Sequence, residues 1–293
     1  MRHYWFIFPL LLCTISWGQM NHPKASPFSK VEQEVGLSKI TVEYSRPSAK
    51  GRALFGKRKS GESGLVPYGR IWRVGANEST KITFSNDVLI ADQLLSKGTY
   101  ALYAFPEEKE WQVIFHNNTT HWGDGRTNYN PDEDALRILV VPTQTLDFQE
   151  SFLISFDGLD HNGTVMNLNW GTTQVSVPMY FDTKSIMQLQ IDEKLVNSPT
   201  AQTYYEIARY YQEQGIYQDK ALGYVEKSIE KAGDTYYFYR VKSLILADLL
   251  RYNEAITAAE ISLKLAEIEG KDEFVRLNLN SISNWKTLRK KNK

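Results

Sequence analysis

The chain has 293 residues, with 34 lysines and arginines balanced by 34 aspartates and glutamates. A formal charge of zero argues against a nucleic-acid partner, which needs a basic surface. Aromatic residues make up 13% of the chain, with 7 tryptophans and 17 tyrosines, enough to build a core without disulfide staples. The length allows one large domain or two ordinary ones.

Residues 1–19 have the order of a secretory leader. Arg2 and His3 form a short basic start, 4–15 is largely apolar, and Ser16-Trp17-Gly18 places small residues before a cut near Gln19. The apolar run is shorter than the roughly 20 residues a membrane helix needs. The only cysteine is Cys13, and Leu12 before it is the wrong size for a lipoprotein cut. The mature chain is therefore expected to be exported, periplasmic or extracellular, not membrane-spanning, and without a thiol for disulfides or thiolate metal sites.

From 20 to 182 the pattern is that of short strands. Val31 and Val35 alternate with polar residues, the chain turns at Gly36-Leu37, and Ile40, Val42 and Tyr44 share one face, which predicts a hairpin. Further strands are predicted at 70–75, 81–84, 88–91, 99–105, 111–115, 136–141, 148–156, 165–170 and 175–181. Short strands at this spacing, with no βαβ alternation, predict an antiparallel β-sandwich or barrel.

After Asp182 the period becomes helical, so the fold class is β followed by α. The segment 183–198 is a connection, and helices are expected at 199–214, 220–232, 235–250, 253–268 and 272–289. Ser198 reads as an N-cap with Pro199 at the first helical position. Ala221, Val225, Ser228 and Ile229 recur 34 residues later as Ala255, Ala259, Ser262 and Leu263. That period resembles tetratricopeptide repeats, which implies a peptide or protein partner on the helical face. The second unit departs from the motif at Lys242 and Leu250.

The polar residues that stand out lie mostly between Tyr44 and Asn77. Strand parity sends Tyr44 and Arg46 to the core side, and the run Trp111, Val113, Phe115 delivers Asn117 to a similar strand end. Arginine forks hold carboxylates and phosphates, and tryptophan faces stack on sugars or other rings. Tyr44, Arg46, Arg52, Trp72, Arg73, Asn77, Asn117 and Trp122 are thus the candidate ligand-binding set, for a small anionic or carbohydrate ligand. A structural reading stands beside this one. In it Arg46 braces the turn at Pro47, Arg73 pairs with Asp134 or Glu78, and Asn77 is a turn residue at positive φ.

The strings Tyr44-Ser45-Arg46-Pro47, Gly51-Arg52, Phe55-Gly56, Trp72-Arg73-Val74-Gly75-Ala76-Asn77, Gly98-Thr99-Tyr100 and Trp122-Gly123 closely resemble the signature of the DUF2911 family. Asp134 and Arg137 match a further acidic-x-x-Arg element. The resemblance covers roughly residues 24–181 and implies a bacterial exported domain of unknown function, with no catalytic residue to carry over. The polar stretch 57–64 reads as a flap or a surface loop.

No nucleophile elbow, P-loop or dinucleotide fingerprint occurs, so catalytic residues stay unassigned and no cofactor is expected. His116, His121 and Asp124 lack a metal-site spacing, and no metal is expected. The acids Asp132, Glu133 and Asp134 read as a solvated cap or as acid–base groups. Three functions remain open. They are a binding module using the arginine and aromatic pocket, an envelope or carbohydrate hydrolase using the same pocket, and a scaffold acting through its helices.

Overall fold

The computed structural model describes residues 22–56, 61, 63–121, 123 and 127–291. The expected leader, Cys13, Trp122, Asp124 and most of the stretch 57–64 lie outside the described residues. The chain divides into two compact units, Met1–Thr183 and Lys184–Lys293.

Among the described residues, the first unit has ten strands in two antiparallel sheets. One sheet contains β1 (Phe28–Val35), β2 (Ser38–Ser45), β3 (Thr80–Phe84), β6 (Gly98–Phe105), β7 (Trp111–His116) and β8 (Asp134–Val140), hydrogen-bonded in that order. The other has the order β5 (Gln93–Leu95), β4 (Val88–Ile90), β10 (Gly163–Tyr180) and β9 (Thr143–Asp157). The sheets do not close into a barrel. The alternation predicted for the first hairpin holds, with Ile40 and Val42 at 0% exposure and Tyr44 at 3%. Ile82, Leu102, Val113 and Ile138 join them in the core from the same sheet, and Phe152, Ile154, Leu168 and Val177 from the other.

Two predicted strands, 165–170 and 175–181, are one strand in the structure. Met166, Leu168 and Trp170 face the core at even positions, whereas Val175, Val177 and Met179 face it at odd ones. Register shifts between Asn169 and Thr173 absorb the extra residue. Gly171 sits there with φ +63°, a left-handed conformation that a side chain resists, and a Cβ would lie 2.6 Å from Leu54 Cδ1. The predicted strand at 70–75 does not form. Only Trp72 pairs, with Ala104, because Val74 (φ 50°), Gly75 (φ 152°) and Asn77 (φ 62°) break the extended backbone.

The second unit contains α1 (Thr183–Val196), α2 (Ala201–Glu213), α3 (Gln218–Ala232), α4 (Tyr236–Asp248), α5 (Tyr252–Ile268) and α6 (Asp272–Lys291). The segment expected as a connection is therefore mostly helix α1, whose Ile191 is buried with the other helices. Ser198 is not the cap of α2: it holds φ 55°, and the helix starts at Ala201, three residues later. Thr200 caps it, accepting from the Thr203 N–H, while the Thr203 hydroxyl accepts from the Thr200 N–H. Helices α2 and α3 pack together, as do α4 and α5, and α5 with α6. Ala221, Ser228, Ala255 and Ser262 are all at 0% exposure, the small residues of these close approaches. Among the described residues no helix is long and apolar enough to cross a membrane.

Two changes test the packing. Ala255→Phe overfills a closed helix contact and should cost about 1–3 kcal/mol, seen as earlier loss of helical circular dichroism in denaturant. An unchanged helical transition would contradict the packing of α4 on α5. Gly171→Ala forces a side chain into the left-handed region and should cost about 1–2 kcal/mol in the sandwich. A neutral outcome would place the bulge elsewhere.

Candidate functional site

Trp72 is held at both ends. Its backbone exchanges hydrogen bonds with Ala104, N to O at 2.7 Å and the reverse at 2.8 Å. Its indole Nε1 donates to the Gly75 carbonyl at 3.1 Å. The ring stacks on Trp170 at 6.0 Å and 15°, and meets Phe55, Trp111 and Phe152 edge-on. Between Trp72 and Thr80 the chain makes a left-handed excursion and returns, with the Thr80 N–H donating to Arg73 O and its hydroxyl to Val74 O. Adding a Cβ to Gly75 would bring it within 2.9 Å of Ser45 O, so the excursion passes close under the end of β2.

A cleft of about 310 Å³ opens over this aromatic knot. Trp72 and Trp170 lie at its floor, while Pro47, Ser48, Lys50, Arg52, Leu65, Pro67, Arg73 and Ala76 form its walls. Its volume lies at the small end of ligand sites. Three cationic residues, Lys50, Arg52 and Arg73, are among its lining, and its described lining residues include no aspartate, glutamate, histidine or cysteine. Trp72 at 6% and Trp170 at 2% exposure present little ring face, so they act as floor and not as open stacking platforms.

Of the predicted set, Arg52, Trp72 and Arg73 line this cleft together. Arg52 also braces its own turn, donating through Nε to Ala49 O at 3.0 Å and through Nη2 to Ser48 O at 2.7 Å. The half-buried Arg73 lies against Gly123, where a Cβ would sit 3.4 Å from its Nη1. Tyr44 and Asn77 line a separate groove of about 160 Å³. Tyr44 is a core residue whose hydroxyl accepts from the Ile154 N–H at 3.1 Å, bridging the sheets. Asn77 donates to Ser26 O and Ser45 Oγ from its left-handed turn position. Arg46 does reach the core-side strand end, where Nε donates to Phe152 O at 2.8 Å and ties β2 to β9. Asn117 is exposed, its N–H bonded to Glu133 O. Trp122 lies outside the described residues.

A second polar cluster lies on the outer side of the larger sheet, where Tyr103 and Ile114 are fully buried. His116 is also at 0% exposure, with Nδ1 3.0 Å from Asp134 Oδ1 and Nε2 3.3 Å from Glu133 Oε2. Asp134 accepts from the Tyr129 hydroxyl at 2.8 Å and from Arg137 Nη2 at 2.6 Å. Burial first, and the bond to Asp134 second, push the Tyr129 pKa up, so the hydroxyl stays a donor. The Asp132–Asp134 acids are thus not merely a solvated cap: Asn130 caps the short turn Pro131–Glu133, and Asp134 belongs to this network. A sequence signal for it existed in Tyr100–Phe105 and Trp111–His116. Each is nearly continuous in large apolar residues, the mark of a strand covered on both faces. Among the described residues no group of three His, Cys, Asp or Glu is placed to hold a metal ion.

No curated protein and no solved structure matches this chain. The family described as "Protein of unknown function (DUF2911)" matches residues 26–179. That match takes in more than half of the chain, nearly the whole sandwich from β1 to β10, and both polar clusters; the chain belongs to the DUF2911 family.

Proposed function

We propose that the sandwich is a binding module for a small anion, an organic carboxylate, acidic sugar or phosphate ester, held in the cleft of Lys50, Arg52 and Arg73, and that it works outside the cytoplasm. The observation that carries this reading is the charge of the cleft: three cations over an apolar floor, with no acid among the described lining residues. Such a site attracts anions by field and offers planar donor forks for bidentate contact. Hydrolysis needs a positioned base or a pair of carboxylates, and the described lining supplies neither, so binding is favoured over the hydrolase reading. An open ring face for a neutral sugar is also missing from the described lining, which favours an acidic ligand over a plain carbohydrate. The leader pattern of residues 1–19 supports export.

For the helical unit we propose two tetratricopeptide-like hairpins, α2–α3 and α4–α5, with α6 as a cap. The support is the 34-residue offset between Ala221 and Ala255 and between Ser228 and Ser262, all buried at helix contacts. The groove among α3, α4 and α5 carries the pairs Glu226–Lys242 and Arg251–Glu254, which neutralise each other. A scaffold role through this face therefore rests on the repeat likeness alone.

Calorimetric titration of the full chain with citrate, glucuronate, sulfate and glucose tests the anion reading. The acids should bind, glucose should not, and affinity should fall as salt rises. Arg73→Gln should weaken binding by about 1.5–3 kcal/mol, roughly tenfold to a hundredfold. Equal binding of glucose and glucuronate, or an Arg73→Gln protein with unchanged affinity, would overturn it.

A further inference from the structure

We infer that Lys50 is the residue that sets the affinity of the cleft for its anion, and that the fold gives up stability to hold it there. Lys50 stands at φ 48° and Gly51 at φ 69°, and the Arg52 N–H closes the turn on Ala49 O at 3.1 Å. Positive φ at both central residues is the type I′ pattern. Its first central position favours Asn, Asp or Gly. A Cβ there crowds the following carbonyl, and a short polar side chain recovers the cost by a local hydrogen bond. Gly51 meets the demand of the second position, while Lys50 breaks that of the first. A left-handed residue that only its surroundings can hold is the kind of outlier from which a function is inferred.

Those surroundings are specific. The Phe152 N–H donates to Pro47 O and the Ala49 N–H to Glu150 O, both at 2.9 Å, which ties the start of the turn to β9. The Lys50 N–H donates to Glu150 Oε1 at 2.8 Å. The Glu150 carbonyl also accepts from Trp170 Nε1 at 3.2 Å, so one residue of β9 joins the turn to the floor of the cleft. Arg52 spends Nε and Nη2 on the carbonyls of Ala49 and Ser48. It is a positioning residue for the turn. Among the described residues, Lys50 is bonded through its backbone and not through its ammonium.

Both residues line the cleft, Arg52 as a brace and Lys50 as a cation not committed to the fold. An asparagine at position 50 would keep the turn and its bond to Glu150 without the strain. What the lysine adds is its ammonium, a compact charge with three donors for the oxygens of a carboxylate or phosphate. This assignment rests on the reading of the cleft as an anion site; the strain of the turn does not.

The test uses the full chain and three variants, with glucuronate as the probe. Lys50→Asn suits the turn and removes the charge, Lys50→Met keeps the strain and removes the charge, and Lys50→Arg keeps both. Without ligand, Lys50→Asn should raise the melting temperature of the sandwich by about 2–4 °C, and the other two should leave it within about 1 °C. In calorimetric titration Lys50→Asn and Lys50→Met should each weaken glucuronate at least about tenfold, and Lys50→Arg should stay within about threefold of wild type. A Lys50→Asn protein that melts no higher than Lys50→Met overturns the exchange of stability for binding. Unchanged affinity in Lys50→Met, where Arg73→Gln weakens it, overturns the assignment of Lys50 and leaves the anion reading standing. Wild-type protein that binds neither glucuronate nor sulfate overturns the anion reading, and this assignment with it, whatever the melting temperatures.

Discussion

The sandwich turns on the insertion of Trp72 between its two sheets. The ring does not come from a regular strand. It comes from a segment fixed to β6 by a single pair of hydrogen bonds at Ala104, and it fills the space bounded by Phe55, Trp111, Phe152 and Trp170. A buried ring of this size removes about 150–250 Å² from water, worth about 4–6 kcal/mol before entropy is counted. The geometry of its neighbours follows. The chain must leave the core and re-enter the sheet at Thr80, which requires the left-handed residues Val74 and Asn77 and the closeness of Gly75 to Ser45. Arg73, next to the inserted ring, lines the cleft. The Trp-Arg-x-Gly-Ala-Asn string is thus an insertion device that also delivers a cation to the surface.

Much of this organisation could be read in advance because it depends on period. Alternation placed Ile40, Val42 and Tyr44 in the core and Arg46 at the strand end. What alternation does not contain is the partner. Arg46 reaches a backbone carbonyl on β9, 106 residues away, and becomes a tie between sheets. Arg52 is engaged by its own turn, and Asn77 by Ser26 O and Ser45 Oγ from other parts of the chain, in line with the structural reading of such residues. Parity also misleads across a bulge: the switch from Trp170 to Val175 looks like two strands when a left-handed glycine joins them. At 70–75 the residue types suit a strand, yet tertiary insertion of Trp72 overrides them. The apolar runs of β6 and β7 signal a face covered on both sides, but not the partners of His116, since Glu133 and Asp134 follow a loop whose return to β7 no local pattern encodes.

The two polar clusters are therefore of different kinds. The cleft is lined by Lys50, Arg52 and Arg73 over an apolar floor and has a volume of about 310 Å³. The His116 network is buried, with Asp134 accepting from Tyr129 and Arg137 and facing His116 Nδ1. The first is an open cleft lined by cations, the second a buried polar cluster. Residues of the loop between them touch both, at Gly123 beside Arg73 and at His121 beside His116.

The most direct measurement is a side-chain NMR titration of the full chain with an acidic sugar, following the tryptophan indole and arginine Nε–H signals. Trp72, whose Nε1 bonds to Gly75 in the excursion that lines the cleft, and Arg73 report on that space, while Trp285 in the helical unit serves as the internal reference. The account predicts saturable shifts of the Trp72 and Arg73 signals with Trp285 unmoved. Shifts that are absent, that fail to saturate, or that fall equally on Trp285 would contradict it.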